Sequence, residues 1–214
     1  MIGDVLLITE KHTQAAAQIV DIVQAQKQGK LVIAIAGESG TGKSEIAHEL
    51  RKLLKQEGYL VKILHGDNYY RILPAERTTW RKKHGKNSIG DHEYDWVTLN
   101  GNIDDFRHGR KSTLPFLDLY TNQKDLLITN FNAINVLILE GLYCLRAPVD
   151  IKFFIDLTYK DTEDVQVLRG KEPQTEFRRK VLEREYQVIQ SHRNLADYFI
   201  TRDYQVKPSH EMDN

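Results

Sequence analysis

A single cysteine, Cys144, in 214 residues rules out an intramolecular disulfide and suits a reducing compartment, with a small buried apolar residue as its simplest role. Net charge is missing too: 30 basic residues stand against 30 acidic ones, so no global field favours nucleic acid or an anionic membrane. Any preference for an anion must be local. No apolar run approaches the ~20 residues that cross a bilayer, and the opening "MIGDVLLITEK" carries Asp4 within its short apolar stretch and has no basic leader. The expectation is a cytoplasmic protein with neither membrane nor nucleic acid among its partners. Internal repeats, low-complexity tracts and linkers rich in Pro, Gly or Ser are absent, and the eight histidines form no zinc-ligand spacing. With 41% hydrophobic and 28% charged residues, the chain reads as one domain.

What is present is a strand-helix alternation. Residues 12–28, "HTQAAAQIVDIVQAQKQ", space Ala16, Ile19, Val20 and Val23 at helical intervals before Gly29. Four short apolar runs follow: "LVIAIA" at 31–36, "YLVKIL" at 59–64, "NVLIL" at 135–139 and "IKFFID" at 151–156. Their length and β-branched content predict strands buried on both faces. Helical stretches at Glu45 to Gln56 and Thr158 to Arg169 then imply a parallel sheet with right-handed crossovers. The fold class is α/β, doubly wound and mostly parallel with flanking helices, and "ADYFIT" at 196–201 is expected as an edge strand. Residues 68–130 mix charge, aromatics and turn residues, with "KSTLPFLDLY" and "QKDLLITNFN" as weaker strand candidates, so a small inserted hairpin or lid is expected there.

Between the first strand and the helix after it lies "GESGTGKS", Gly37 to Ser44, with the spacing G-x-x-x-x-G-K-S. In that context the spacing predicts a phosphate-binding loop. Glycines let successive N–H groups curl toward an anion, and the helix adds its own unpaired N–H groups. Lys43 supplies a full charge to the outer phosphates, and the Ser44 hydroxyl can ligate the magnesium that bridges them. A glycine-rich turn with a chance lysine is the bland alternative, which the flanking strand and helix disfavour. The candidate nucleotide-binding set is Gly37, Glu38, Ser39, Gly40, Thr41, Gly42, Lys43, Ser44 and Glu45.

In a parallel sheet the loops beyond the C-terminal strand ends share one edge, where ligands bind. Asp67, Glu140 and Asp156 fall at that edge. A carboxylate beside a polyphosphate is costly unless it meets a metal or a substrate hydroxyl, which makes Asp67 and Glu140 functional candidates. Asp156 also reads as a plain strand-end carboxylate and stays outside the site.

The stretches "GESGTGKSEIAHEL", "HGDNYYR", "DHEYDW", "LNGNIDDFRHGRKSTLP", "NVLILEGLYCL", "DIKFFIDL" and "LADYFI" occur in this order over residues 31–201. In them the chain resembles the uridine kinase and phosphoribulokinase family of P-loop kinases, and most of all its uridine kinase branch. The resemblance implies a single P-loop NTPase domain over 1–214. Within it lie an N-terminal helical segment at 1–30, an acceptor-binding insertion at 68–130 and a lid region at 158–190. It implies ATP and Mg2+ as cofactors, and Asp67 as the base that accepts the proton of the attacking hydroxyl. Glu140 would hold magnesium with Ser44, Tyr69 and Tyr70 would line the acceptor site, and Asp91 and His92 would lie near its sugar. A helix cap remains the rival role for Asp67, aromatic packing for the tyrosines, and an ordinary surface or core histidine for His92.

The lid of such kinases closes arginines over the phosphates, and "LRGKEPQTEFRRKVLERE" offers Arg169, Lys171, Arg178, Arg179 and Arg184, with Gly170 and Pro173 as a hinge. Arg169 and Arg178 are the candidates. The rival is a solvated helix face opposite the apolar stripe of Phe177, Val181, Leu182, Val188 and Ile189. Two departures from the family weaken uridine specificity: "GKEPQT" interrupts the lid, and Leu117 stands where a tyrosine is expected. The expected function is an ATP-dependent phosphotransferase acting on a hydroxyl of a small sugar-containing acceptor, uridine or cytidine first, yielding the 5'-monophosphate. The alternatives are a kinase of another small alcohol or sugar phosphate, like phosphoribulokinase or pantothenate kinase, or an inactive nucleotide sensor. A GTPase switch is disfavoured because N-K-x-D and a strand-end D-x-x-G are absent. The partner is a small nucleoside or sugar-like alcohol, and a homo-oligomer stays open.

Overall fold

The computed structural model describes residues 3–26, 29–169 and 175–212, with the side chain of Arg169 left aside. The elements run α1 (Glu10–Gln24), β1 (Leu31–Ala36), α2 (Lys43–Gln56), β2 (Val61–His65), α3 (Pro74–His84), α4 (Trp96–Arg107), β3 (Lys111–Asp118) and β4 (Gln123–Asn130). They continue with β5 (Val136–Gly141), β6 (Ile151–Ile155), α5 (Glu163–Arg169), α6 (Glu176–Gln190), β7 (Tyr198–Ile200) and β8 (Val206–Pro208). Six strands form one sheet in the order β2-β5-β1-β6-β7-β8, parallel except for β8, and β3 and β4 form a separate antiparallel hairpin.

Alternation along the strands sorts the core into two layers. Ile33 and Ile35 of β1, Val136 and Ile138 of β5, and Phe153 and Ile155 of β6 face α1 and α2. Val32, Ala34 and Ala36, with Leu137, Leu139 and Phe154, face the opposite layer, where Tyr94, Phe106, Phe131 and Ile189 pack. Burial on both faces is why these strands read as unbroken apolar runs. Each fully buried Ile or Phe contributes roughly 1.5–3 kcal/mol of transfer free energy, so the central strands carry much of the fold's stability.

All four expected central strands form, and β1 over its full expected span. Three details differ from expectation. "ADYFIT" forms β7, but β8 pairs along its outer side, so β7 is internal. The stretch after Thr158 becomes helical only at Glu163, because Asp161 accepts from the Thr158 N–H at 2.8 Å and closes a turn first. The insertion contains α3 and α4 as well as the hairpin; Pro74 at the first position of α3 supplies a fixed φ where no N–H is needed. Cys144 is buried, and burial pushes its thiol well above the ordinary range, so it behaves as a core residue. Among the described residues no helix is long and apolar enough to cross a membrane.

Candidate functional site

The loop 37–42 leaves the C-terminal end of β1 and enters α2 at Lys43. Gly40 and Gly42 adopt φ of 80° and 88°, which only glycine accepts cheaply. Space is closed to a side chain as well: a Cβ on Gly40 would lie 3.0 Å from Thr162 Oγ1, and one on Gly42 2.6 Å from His12 Nε2. The loop is tied internally and from the turn that precedes α5. Thr41 Oγ1 donates to the Glu38 carbonyl at 2.9 Å, Lys43 Nζ donates to the same carbonyl at 2.6 Å, and Thr162 Oγ1 donates to the Ser39 carbonyl at 2.9 Å. The first turn of α2 has backbone N–H groups with no intrahelical acceptor, which is what a polyphosphate requires.

Two members of the expected nucleotide-binding set turn elsewhere. The Glu38 carboxylate is buried and accepts from the Tyr159 N–H at 2.7 Å and from Gln190 Nε2 at 3.1 Å, so it ties the loop to α6. Burial raises its pKa above the ordinary value. Glu45 Oε1 accepts from the Leu7 N–H at 3.2 Å, against the N-terminal segment.

Parallel pairing places His65 at the end of β2 beside Glu140 near the end of β5. Adjacent side chains in that register share a face. Glu140, itself buried, is therefore held from two sides: His65 Nδ1 lies 2.7 Å from one carboxylate oxygen and Ser44 Oγ donates to the other at 3.2 Å. A serine hydroxyl and a carboxylate within that distance form a hard-oxygen donor set suited to Mg2+. Asp67 follows two residues after His65, in the 3-10 turn Gly66–Tyr69. Lys43, Ser44, Asp67, Tyr70, Glu140 and Arg178 all line one cleft.

The far wall of the cleft is a charged network joining α3 to α6. Arg81 donates to both oxygens of Glu93 at 2.8 Å and pairs with Glu185 at 3.0 Å, while Glu185 also faces Arg178 at 3.5 Å. All but Arg178 are buried, and Arg178 is 12% exposed in its side chain. Arg77 stacks over Tyr70 at 3.5 Å from the ring centroid, and Lys124 Nζ donates to the Tyr70 carbonyl at 3.0 Å. Burial first, then the nearby Glu185 carboxylate, push the Tyr70 phenol well above its ordinary range. The Tyr70 hydroxyl is therefore neutral.

Other expected site residues lie apart. Tyr69 is buried, its hydroxyl donating to Asn102 Oδ1 at 2.9 Å, and it lines a different cavity. Asp91 pairs with Arg146 and lies 3.6 Å from His192 Nε2, and His92 is exposed; neither lines the cleft. Asp156 pairs with Arg193 at 3.2 Å, consistent with a strand-end carboxylate. Arg169 ends α5, but its side chain, with Gly170, Lys171 and Pro173, lies outside the described residues. Sequence reasoning missed His65, Arg77, Gln166 and Glu185, which contact Glu140 or line the cleft. Only His65 had a local signal, as a polar residue at a strand end two positions before Asp67.

The profile of the Phosphoribulokinase / Uridine kinase family matches residues 32–169. A protein described as "Uridine kinase" from Staphylococcus aureus (strain JH9) is 28% identical over 143 residues, covering 64% of this chain and 65% of the relative's own length. Among solved structures, phosphoribulokinase from Rhodobacter spheroides superposes with a TM-score of 0.63 at 13% identity, over 82% of this chain and 71% of that one. D-glycerate 3-kinase from Cryptococcus neoformans var. grubii gives 0.59 at 12% identity, over 93% and 98%. These two likenesses speak for the fold alone. The matched profile spans more than half of the residues and includes the loop, Asp67 and Glu140: the chain belongs to the phosphoribulokinase and uridine kinase family.

Proposed function

We propose that the protein is an ATP-dependent kinase that transfers the γ-phosphoryl group to a hydroxyl of a small acceptor. The observation that carries this reading is the convergence of Lys43, Ser44, Glu140 and Asp67 on one cleft. Ser44 and Glu140 would hold Mg2+, whose charge offsets that of the phosphates when bound. The loop amides and Lys43 fix the donor, and Asp67 accepts the acceptor's hydroxyl proton as its oxygen bonds to the γ-phosphorus and ADP departs with the broken bond's electrons. Arg178 is the cation best situated to meet charge spreading over the transferring group.

Uridine or cytidine is the first acceptor by family membership. A second reading, a hydroxyl on an anionic acceptor such as a sugar phosphate, draws on Arg77, which lines the cleft over the Tyr70 ring. The buried Leu117, lacking a tyrosine's hydroxyl, weakens nucleobase recognition by this part of the hairpin. The test is transfer of labelled phosphate from ATP with Mg2+ to a panel of nucleosides, sugar phosphates and hydroxy acids. Acceptor-dependent label on a nucleoside supports the first reading and label on an anionic alcohol the second. ADP production that no acceptor stimulates, with nucleotide bound, overturns both.

A further inference from the structure

The outer edge strand β2 borders a second cavity, which meets the phosphate cleft at Ser44. Its lining divides by chemistry. His48 and Arg51 of α2 and Lys62 and His65 of β2 supply basic groups, while Leu114, Phe116 and Leu127 of the hairpin supply apolar surface. Two of the basic groups are already engaged, His65 by Glu140 at 2.7 Å and His48 by Glu49 at 3.4 Å. Arg51 and Lys62 form no ion pair with any described residue, and Asp4, a carboxylate in the same lining, has an interaction of its own.

Lys62 is half-buried, and burial together with repulsion from Arg51 holds its ammonium below the ordinary range. Two like charges drawn together, one partly removed from water, cost free energy that an anion between them recovers. The apolar residues of the same lining add favourable contact for a hydrocarbon or ring. Asp67, Tyr70 and Arg178 are absent from this cavity, so it is not the acceptor end of the cleft.

We propose that this cavity binds a small organic anion, its phosphate or carboxylate head between Arg51 and Lys62 and its apolar body against Leu114, Phe116 and Leu127. The inference does not depend on the kinase reading. It is tested by calorimetric titration of the full chain, with and without a non-hydrolysable ATP analogue and Mg2+. The probes are phenyl phosphate, benzoate, inorganic phosphate and benzyl alcohol. One of the two aromatic anions should saturate a single site, with the analogue present, at least about tenfold more tightly than either inorganic phosphate or benzyl alcohol. The tighter of the two names the head group. Arg51→Gln and Lys62→Met should each weaken that binding by about tenfold or more while leaving analogue affinity within about twofold, which also reports a folded chain. No saturable binding by either aromatic anion, equal binding of inorganic phosphate, or binding that both variants leave unchanged overturns the proposal.

Discussion

The two ends of the cleft are held in opposite ways. At the phosphate end, position comes from backbone: glycines at positive φ, amides of a helix start, and a sheet register that sets His65 against Glu140. At the opposite end, the proposed acceptor end, position comes from side chains, with Arg81, Glu93, Glu185 and Arg178 linking α3 to α6. Backbone geometry does one task in any sequence that can adopt it. A side-chain network is rebuilt by single substitutions, which suits the role of choosing an acceptor that the proposed function gives this end.

The contrast is broken most severely at Asp67, which lies between the two ends. Asp67→Asn should lower kcat by about 10²–10⁴, the usual worth of a positioned general base, with ATP affinity by calorimetry almost unchanged. Near wild-type turnover would remove the base role. The acceptor end itself is tested by Glu185→Gln, which leaves Arg81 and Arg178 facing each other without their shared carboxylate. Breaking a buried ion network of this kind costs about 3 kcal/mol or more. Urea unfolding should register that loss, and KM for the acceptor should rise more than KM for ATP.

The same contrast governs what could be read from sequence. The phosphate end was legible because periodicity and glycine spacing are local: "LVIAIA" and "GESGTGKS" announce a buried strand and the turn after it. Glu140 was legible as a strand-end acid. Its contact with His65 was not, because register between strands 75 positions apart is a tertiary property. Glu93 and Glu185 carried no local signal, and only tertiary packing makes them interior. Tyr69 and Tyr70 are neighbours in sequence, yet the 3-10 turn sends one to Asn102 and the other to the cleft.

His65→Asn sharpens the account of the phosphate end. His65 supports Glu140 without being placed on substrate, and losing such support weakens a metal site by about 10–100-fold. Mg2+ titration of the analogue-bound chain should show the shift directly, and His65→Gln should restore part of it if its amide reaches the carboxylate. An unchanged Mg2+ affinity in both variants removes His65 from that role. Tyr69→Phe is smaller still. It leaves Asn102 Oδ1 without its donor, at about 1–2 kcal/mol of stability, and if Tyr69 is a core residue it leaves acceptor KM unmoved. A several-fold rise in acceptor KM would return Tyr69 to the substrate site.

The last test concerns Glu38, where the two ends are joined, its carboxylate tying the phosphate loop to α6. Burial holds the carboxyl above the ordinary 4.5, against the opposing hydrogen bonds from Tyr159 and Gln190. Over that window the folded chain keeps a proton that the unfolded chain has released. Stability linked to Glu38 is therefore fully present below 4.5 and is lost as pH rises through the raised folded value. Glu38→Gln cannot ionise, so wild-type stability minus variant stability should fall as pH is raised across the window and level off above it. Urea midpoints at a series of pH values would measure the difference. A difference that instead grows with pH would mean that the two hydrogen bonds outweigh burial, and that the charged carboxylate is what fastens the loop to α6.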